Sequence, residues 1–181
     1  LGRHAEAARV LSEAGHPVLA AFELEAAGAH TAARLEWERV VRDGRLVGQP
    51  YEMALAHLRL GQALLRTGEI AAGARELATT QRLLEAVADD AETRGEIERA
   101  LDCYRFLIRL GRETGSFENV AEGYLNSIRI LVREDEKFYA FQFYDDFLSF
   151  AVEKKEWYAA ATLAREAAAY SVKTGLVFER H

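Results

Sequence analysis

The sequence predicts an all-α protein, an α-solenoid of antiparallel helix pairs with about nine helices. Two observations lead to this fold class. Good helix formers (Ala, Leu, Glu and Arg) dominate the 181 residues, and only two prolines are present. A turn followed by a helix with a small-residue face also recurs along the chain. Helix pairs that cannot bury their own apolar face must stack on neighbours, which is the property of a solenoid. The recurring frame begins at Gly2, Gly28, Gly68, Gly115 and Lys155.

In the first half of the chain, residues that break helices and residues favoured at helix ends predict where each helix begins and ends. Gly15 and His16 separate a first helix (residues 4–14) from a second one. Pro17 suits the first turn of that second helix, and Gly28 suits its C-terminal end. A third helix begins near residue 31. The one clear loop, residues 42–50, contains Asp-Gly, a second Gly and Pro. The next predicted helices cover residues 50–67 and 69–88.

The second half begins with a polar connector, residues 88–95, whose central residues are also compatible with a longer helix. Four further helices are predicted at residues 97–113, 117–133, 137–154 and 157–173. No flexible or low-complexity linker separates these elements, so we expect residues 1–181 to form one continuous array. The chain starts inside the repeat frame without Met, and its end (LVFERH) resembles the start of another element. We therefore expect a piece of a longer multidomain protein.

Charge and cysteine content narrow the classes of function. The net charge of −6 argues against a general nucleic-acid partner and against attraction to anionic membranes, since both need a basic surface. The single cysteine, Cys103, excludes an internal disulfide and a multi-cysteine zinc site. No apolar run reaches the roughly 18 residues of a membrane span. We expect a cytoplasmic location, no membrane or nucleic-acid partner, and no cofactor.

One block, residues 54–87, resembles a tetratricopeptide repeat (TPR) in its length and in its pattern of large and small residues. Small residues between large ones let two helices approach closely. The intervals between successive starts of the frame are unequal, whereas the repeat of this family has a constant length. The resemblance implies a right-handed solenoid whose concave face, formed by first helices, holds a peptide or partner. The matching residues are Leu60, Gly61, Leu64, Gly68, Gly73, Leu77 and Thr80.

The same frame predicts how three leucines and one glycine of this block pack. Leu60, Leu64 and Leu77 should be buried between neighbouring helices. Gly61 should accept alanine but not leucine, because the close approach of the two backbones is the purpose of that position.

Three arginines are the principal candidates for partner binding. Arg105, Arg109 and Arg112 stand at i, i+4 and i+7, so they share one helix face. They resemble the basic positions of TPR modules that hold an acidic C-terminal tail, and an arginine fork can bind a carboxylate bidentately. Gln62 and Arg66 of the preceding unit complete this candidate set. The alternative is a solvated helix face with Asp102–Arg105 and Arg109–Glu113 pairs.

A second candidate surface is the aromatic segment KFYAFQFYDDFLSF. Its aromatic residues recur at steps of three, which favours packing in the core; the alternative is a docking surface for another helix. Histidines never reach metal-ligand spacing, and Cys103 has no histidine at helical spacing, so no metal or nucleophilic site is predicted. The stepped positions are Phe138, Phe141, Tyr144, Phe147 and Phe150.

These observations predict a non-catalytic scaffold for protein–protein interaction. The alternative is a sensor or regulatory arm of a larger signalling ATPase, protease or transcription regulator. An RNA-binding helical repeat is a third hypothesis, prompted by the many arginines but opposed by the acidic net charge and the irregular spacing.

Overall fold

The computed structural model describes residues 2–43, 46 and 48–175, which form nine α-helices and no β-strand. The predictions of an all-α protein and of about nine helices are therefore confirmed for this part of the chain. The helices are α1 (Gly2–Glu13), α2 (Pro17–Ala26), α3 (His30–Arg42), α4 (Pro50–Arg66), α5 (Ile70–Arg94), α6 (Ile97–Thr114), α7 (Phe117–Arg133), α8 (Lys137–Glu153) and α9 (Trp157–Thr174).

The polar connector predicted at residues 88–95 is helical up to Arg94 and forms the last turns of α5. The segment has no glycine or proline before Gly95, so nothing in its backbone chemistry ends the helix earlier. Ala88 and Ala91 are fully buried, which anchors this end of α5 by packing. Of the two alternatives that the sequence left open, the longer helix is confirmed and the connector is wrong, because polarity marks an exposed helix face as well as a loop.

Left-handed backbone follows the helices at a regular interval. Apart from Gly15, which follows α1, positions of positive φ recur at one constant interval within two groups, and the interval between the groups, from Gly68 to Gly95, is longer. The additional residues lie in α5, which has 25 residues where α6 to α9 have 17 or 18. The longest interval of the frame, from Gly68 to Gly115, contains this insertion. The two groups are Gly28, Gly48 and Gly68, and then Gly95, Gly115, Asp135, Lys155 and Gly175.

The chain forms two compact units, unit 1 (Leu1–Val87) and unit 2 (Ala88–His181), and the boundary lies within α5. Consecutive helices pack on one another inside each unit. One core cluster of unit 1 includes Ala21, Trp37, Val40, Ala56, Leu60, Ala63 and Leu64. One core cluster of unit 2 includes Ile108, Val120, Tyr124, Phe147, Phe150, Ala151, Ala160 and Leu163.

The predicted burial of Leu60 and Leu64 is confirmed, whereas Leu77 is only partly buried. Leu77 instead covers Gly61, where an added Cβ would lie 2.9 Å from Leu77 Cδ2 and 3.2 Å from the carbonyl oxygen of Gly73. Alanine at Gly61 therefore requires the flexible end of the Leu77 side chain to move, and the expectation that Gly61 accepts alanine but not leucine stays a prediction. Gly123 of unit 2 is tighter still, since its added Cβ would lie 2.9 Å from the carbonyl oxygen of Tyr104.

Candidate functional site

The three candidate arginines form a row on the exposed face of α6, and we call Arg105, Arg109 and Arg112 the arginine row. Arg105 Nη1 donates a hydrogen bond to Asp102 Oδ1 at 3.0 Å. Its guanidinium carbon lies 5.9 Å from the ring centre of Phe143 on α8. The Asp102–Arg105 pair expected for a solvated face is therefore present, but the same arginine also contacts an aromatic ring of the next helix pair.

Arg112 is fixed in the same way. Its Nη2 donates to the hydroxyl oxygen of Tyr124 at 2.8 Å, and its guanidinium carbon lies 4.9 Å from the ring centre of Phe150. Arg109 lies over the ring of Phe106 in its own helix at 5.6 Å. Aromatic rings of α6 and α8 thus support all three guanidinium groups, while the arginine side chains belong to exposed residues.

Gln62 and Arg66, the other two predicted site residues, lie on α4 in unit 1, whereas the arginine row lies in unit 2. Arg66 Nη2 donates to Glu25 Oε1 at 3.3 Å. Gln62 is partly buried. The side chain of Arg66 is therefore directed towards a carboxylate of its own unit.

Glu25 is the centre of a polar cluster in unit 1. Its side chain is only 17 % exposed and joins three helices. Trp37 Nε1 of α3 donates to Glu25 Oε1 at 3.0 Å. Arg59 and Arg66 of α4 supply positive charge at 3.7 and 3.3 Å. We call these four residues the Glu25 cluster; its donors replace the water that the carboxylate loses on burial.

Glu92 is the centre of a corresponding cluster in unit 2, the Glu92 cluster. Arg129 of α7 donates two hydrogen bonds to its carboxylate, at 2.9 and 2.6 Å, and Arg133 lies at 3.5 Å. The hydroxyl of Tyr104 donates to Glu92 Oε1 at 2.9 Å. The hydrogen bond from Arg129 holds the pKa of Glu92 below its usual value, and burial together with the acceptor Glu92 raises the pKa of Tyr104. Both groups therefore keep the protonation states that this hydrogen bond needs.

Sequence reasoning missed both clusters, although the sequence contains a signal for them. Glu25 and Glu92 are separated by the same number of residues as His30 and Ile97, which begin α3 and α6. The aromatic donor follows the glutamate at the same interval in both clusters. The matching residues are Glu25, Trp37 and Arg66 in unit 1, and Glu92, Tyr104 and Arg133 in unit 2.

Some aromatic residues of α8 are buried in the core, and others are exposed to solvent. Phe147 and Phe150 are buried in the core of unit 2. At the start of the same helix, Phe138 and Tyr139 are exposed and contact each other with ring centres 5.9 Å apart. Core packing therefore holds for the buried rings, while the first turn of α8 leaves aromatic surface uncovered.

Histidine and cysteine take structural places in the described residues. His57 Nδ1 lies 2.6 Å from Glu76 Oε2, and His4 Nδ1 lies 2.7 Å from Glu23 Oε2. No group of three or more potential metal ligands occurs in the part of the chain that the structure describes. Burial raises the pKa of Cys103 to about 11 despite the opposing charge of Arg99, so its thiol stays protonated at neutral pH.

No family model matches the chain, and no curated protein matches it. A crystal structure of BtubC (BKLC) from P. vanneervenii is similar over 98 % of this chain and 72 % of that chain, with 13 % identity and a TM-score of 0.48. Among the described helices, none combines the length and the apolar character needed to cross a bilayer.

Proposed function

We propose that this chain is a non-catalytic interaction module that binds an acidic peptide of a partner protein through the arginine row of unit 2. The observation that supports this most directly is the stacking of Arg105 and Arg112 over Phe143 and Phe150. A guanidinium group held against a ring keeps its planar donor edge available, and less side-chain entropy is lost when a carboxylate binds.

The spacing of the row suits an extended or helical acidic segment. Positions i, i+4 and i+7 lie along one helix face, so the three forks point in a similar direction. Each can donate charge-assisted hydrogen bonds to a carboxylate. Arg105 would exchange its exposed partner Asp102, and such surface pairs contribute little energy.

The test is a titration of the full chain with a fluorescein-labelled decapeptide of Asp and Glu that ends in a free carboxylate. The triple variant Arg105→Ala, Arg109→Ala, Arg112→Ala should bind at least about tenfold more weakly than wild type. The matched control removes three exposed arginines of the same unit (Arg94→Ala, Arg99→Ala, Arg165→Ala) and should retain the wild-type affinity.

A lysine triple variant at the row separates charge from geometry, because it keeps the charge and removes the planar fork. We expect intermediate binding, with circular dichroism showing unchanged helicity. Equal loss in the row variant and in the control would contradict the proposal, since only net charge would then matter. Absence of saturable binding to wild type would contradict it as well.

A further inference from the structure

A second surface of unit 2, distinct from the arginine row, is a groove of about 440 Å³ between α8 and α9. α8 contributes Tyr144 and Leu148, and α9 contributes Ala164 and Val172. The lining is mostly apolar. Among its described residues, Asp145 is the charged one.

The preceding helix pair shows what such a groove accepts. α6 and α7 begin at Ile97 and Phe117, and α8 and α9 begin at Lys137 and Trp157, so one constant step relates the two pairs. The equivalent groove between α6 and α7 is filled by α8. Its Phe147 stacks on Tyr124 at 5.1 Å and packs in one cluster with Ile108, while Phe143 lies beneath Arg105. The groove residues equivalent to Arg105, Ile108 and Tyr124 are Asp145, Leu148 and Ala164.

Two substitutions distinguish the open groove from the filled one. Ala164 replaces the ring of Tyr124, which leaves space for a larger side chain of an incoming helix. Asp145 replaces Arg105 and reverses the charge beside the first contact position. Glu166 adds a second negative charge near Tyr144. A helix that fits here therefore needs a cation where α8 has Phe143.

Exposed apolar residues at the start of α9 and near the end of α8 also have equivalents in the preceding helix pair. Phe117, at the start of α7, stacks on Phe150 with ring centres 5.8 Å apart. Its equivalent at the start of α9 is Trp157, which is 63 % exposed. Val152, the equivalent of Arg112, is also exposed. An aromatic side chain two helical turns after the cation would cover this surface as Phe150 covers Phe117.

We propose that the α8/α9 groove binds an amphipathic helix of a partner protein with a Lys or Arg at position i, a bulky apolar residue at i+4 and an aromatic residue at i+7. Charge complementarity to Asp145 selects this partner over a second copy bound groove to groove, because the described lining of the groove contains a carboxylate and no cation to pair with it. The surface is separate from the arginine row, so this proposal and the acidic-peptide proposal can fail independently.

The probe is a fluorescein-labelled peptide with the sequence of α8 and the change Phe143→Arg, because α8 fits the equivalent groove. The control peptide has Phe143→Asp. By anisotropy, wild-type protein should bind the arginine peptide about tenfold more tightly than the aspartate peptide. Binding should also shift the emission of Trp157 to shorter wavelength as its ring leaves water.

Two protein variants of equal net charge complete the design. Asp145→Arg should reverse the preference between the two peptides. Asp146→Arg, an exposed neighbour on the same helix, should keep the wild-type preference. Equal affinity for both peptides, no saturable binding, or the same reversal in Asp146→Arg would overturn the proposal. A dimer in sedimentation equilibrium that Asp145→Arg abolishes would also overturn it, because a second copy would then occupy the groove.

Discussion

Glu25 of unit 1 and Glu92 of unit 2 occupy equivalent places, just before the glycine that follows the helix, yet their partners differ. Glu92 receives two hydrogen bonds from Arg129, and the equivalent residue of unit 1 is Gln62. Glu25 depends on Trp37 and on more distant arginines. The helix arrangement therefore places a carboxylate at the same position in both units. The residue at one position of a later helix, Arg129 or Gln62, determines how strongly that carboxylate is bound.

Physical chemistry explains why the glutamate position is shared and the arginine position is not. A carboxylate that is nearly buried must keep donors around it, because an unpaired buried charge is strongly destabilising. Several donor sets meet this need, including an indole, a phenol and one or two guanidinium groups. The bidentate fork of Arg129 is the strongest of them.

Core leucines should give the largest effects and should affect the two units equally. Leu64 and Leu131 are related by the same step along the chain as the two glutamates, and they are almost equally buried, at 5 % and 4 % exposure. Leu64→Ala and Leu131→Ala should each lower the free energy of unfolding by about 2–5 kcal/mol. Urea unfolding followed by circular dichroism gives the loss, and hydrogen exchange with mass spectrometry locates it in unit 1 or unit 2. A near-neutral effect of one variant alone would contradict the equivalence of the two positions.

Much of the fold could be predicted because helix ends depend on local chemistry. Pro50 and Gly68 bound α4 as the sequence indicates, whereas the end of α5 depends on the burial of Ala88 and Ala91, which polarity hides. The burial of Leu77 was predicted wrongly, because a large side chain can pack over a neighbouring glycine while it remains partly exposed to solvent itself.

The candidate site was less predictable. The i, i+4, i+7 spacing places the arginine row on one face, and this follows from helix geometry alone. The rings of Phe143 and Phe150 lie two helices further along the chain than Arg105 and Arg112, so their contacts depend on tertiary packing. The Glu92 cluster likewise joins residues of three helices. The sequence contains only one signal for it: the Glu92 cluster repeats the Glu25 cluster at a constant spacing along the chain. That spacing can be recognised once the insertion in α5 is known.

Removing the charge of the two glutamates should distinguish unit 1 from unit 2. Glu92→Gln should cost about 1–3 kcal/mol, because it leaves the donors of Arg129 and Tyr104 with a weaker acceptor. Glu25→Gln should cost less, since its arginines are more distant. Urea unfolding of both single variants and of the double variant provides the measurement, and equal costs would contradict the ranking.

The effect of Glu92→Gln should also depend on pH. The pKa of Glu92 is lower in the folded state than in the unfolded chain, so the unfolded state binds more protons on acidification. The stabilisation is complete above the unfolded pKa and is lost as pH falls through the folded pKa. The cost of Glu92→Gln should therefore be largest near neutral pH and should shrink below about pH 4. Urea unfolding of wild type and variant at several pH values measures the change, and a cost that grows on acidification would contradict it.

The smallest expected effect concerns a turn that the two units build differently. Gly68 ends α4 with φ +86°, and its equivalent after α7, Asp135, has φ +59°. A side chain disfavours this left-handed conformation, so Gly68→Asp should destabilise by about 1 kcal/mol and Asp135→Gly should stabilise by a similar amount. The ion pair of Asp135 with Lys137 is exposed, and its loss should not offset the gain. Thermal unfolding of both variants measures the two changes. Shifts of the same sign would show that the turns are not equivalent, because the backbone strain at Asp135 would then be relieved by contacts that glycine cannot make.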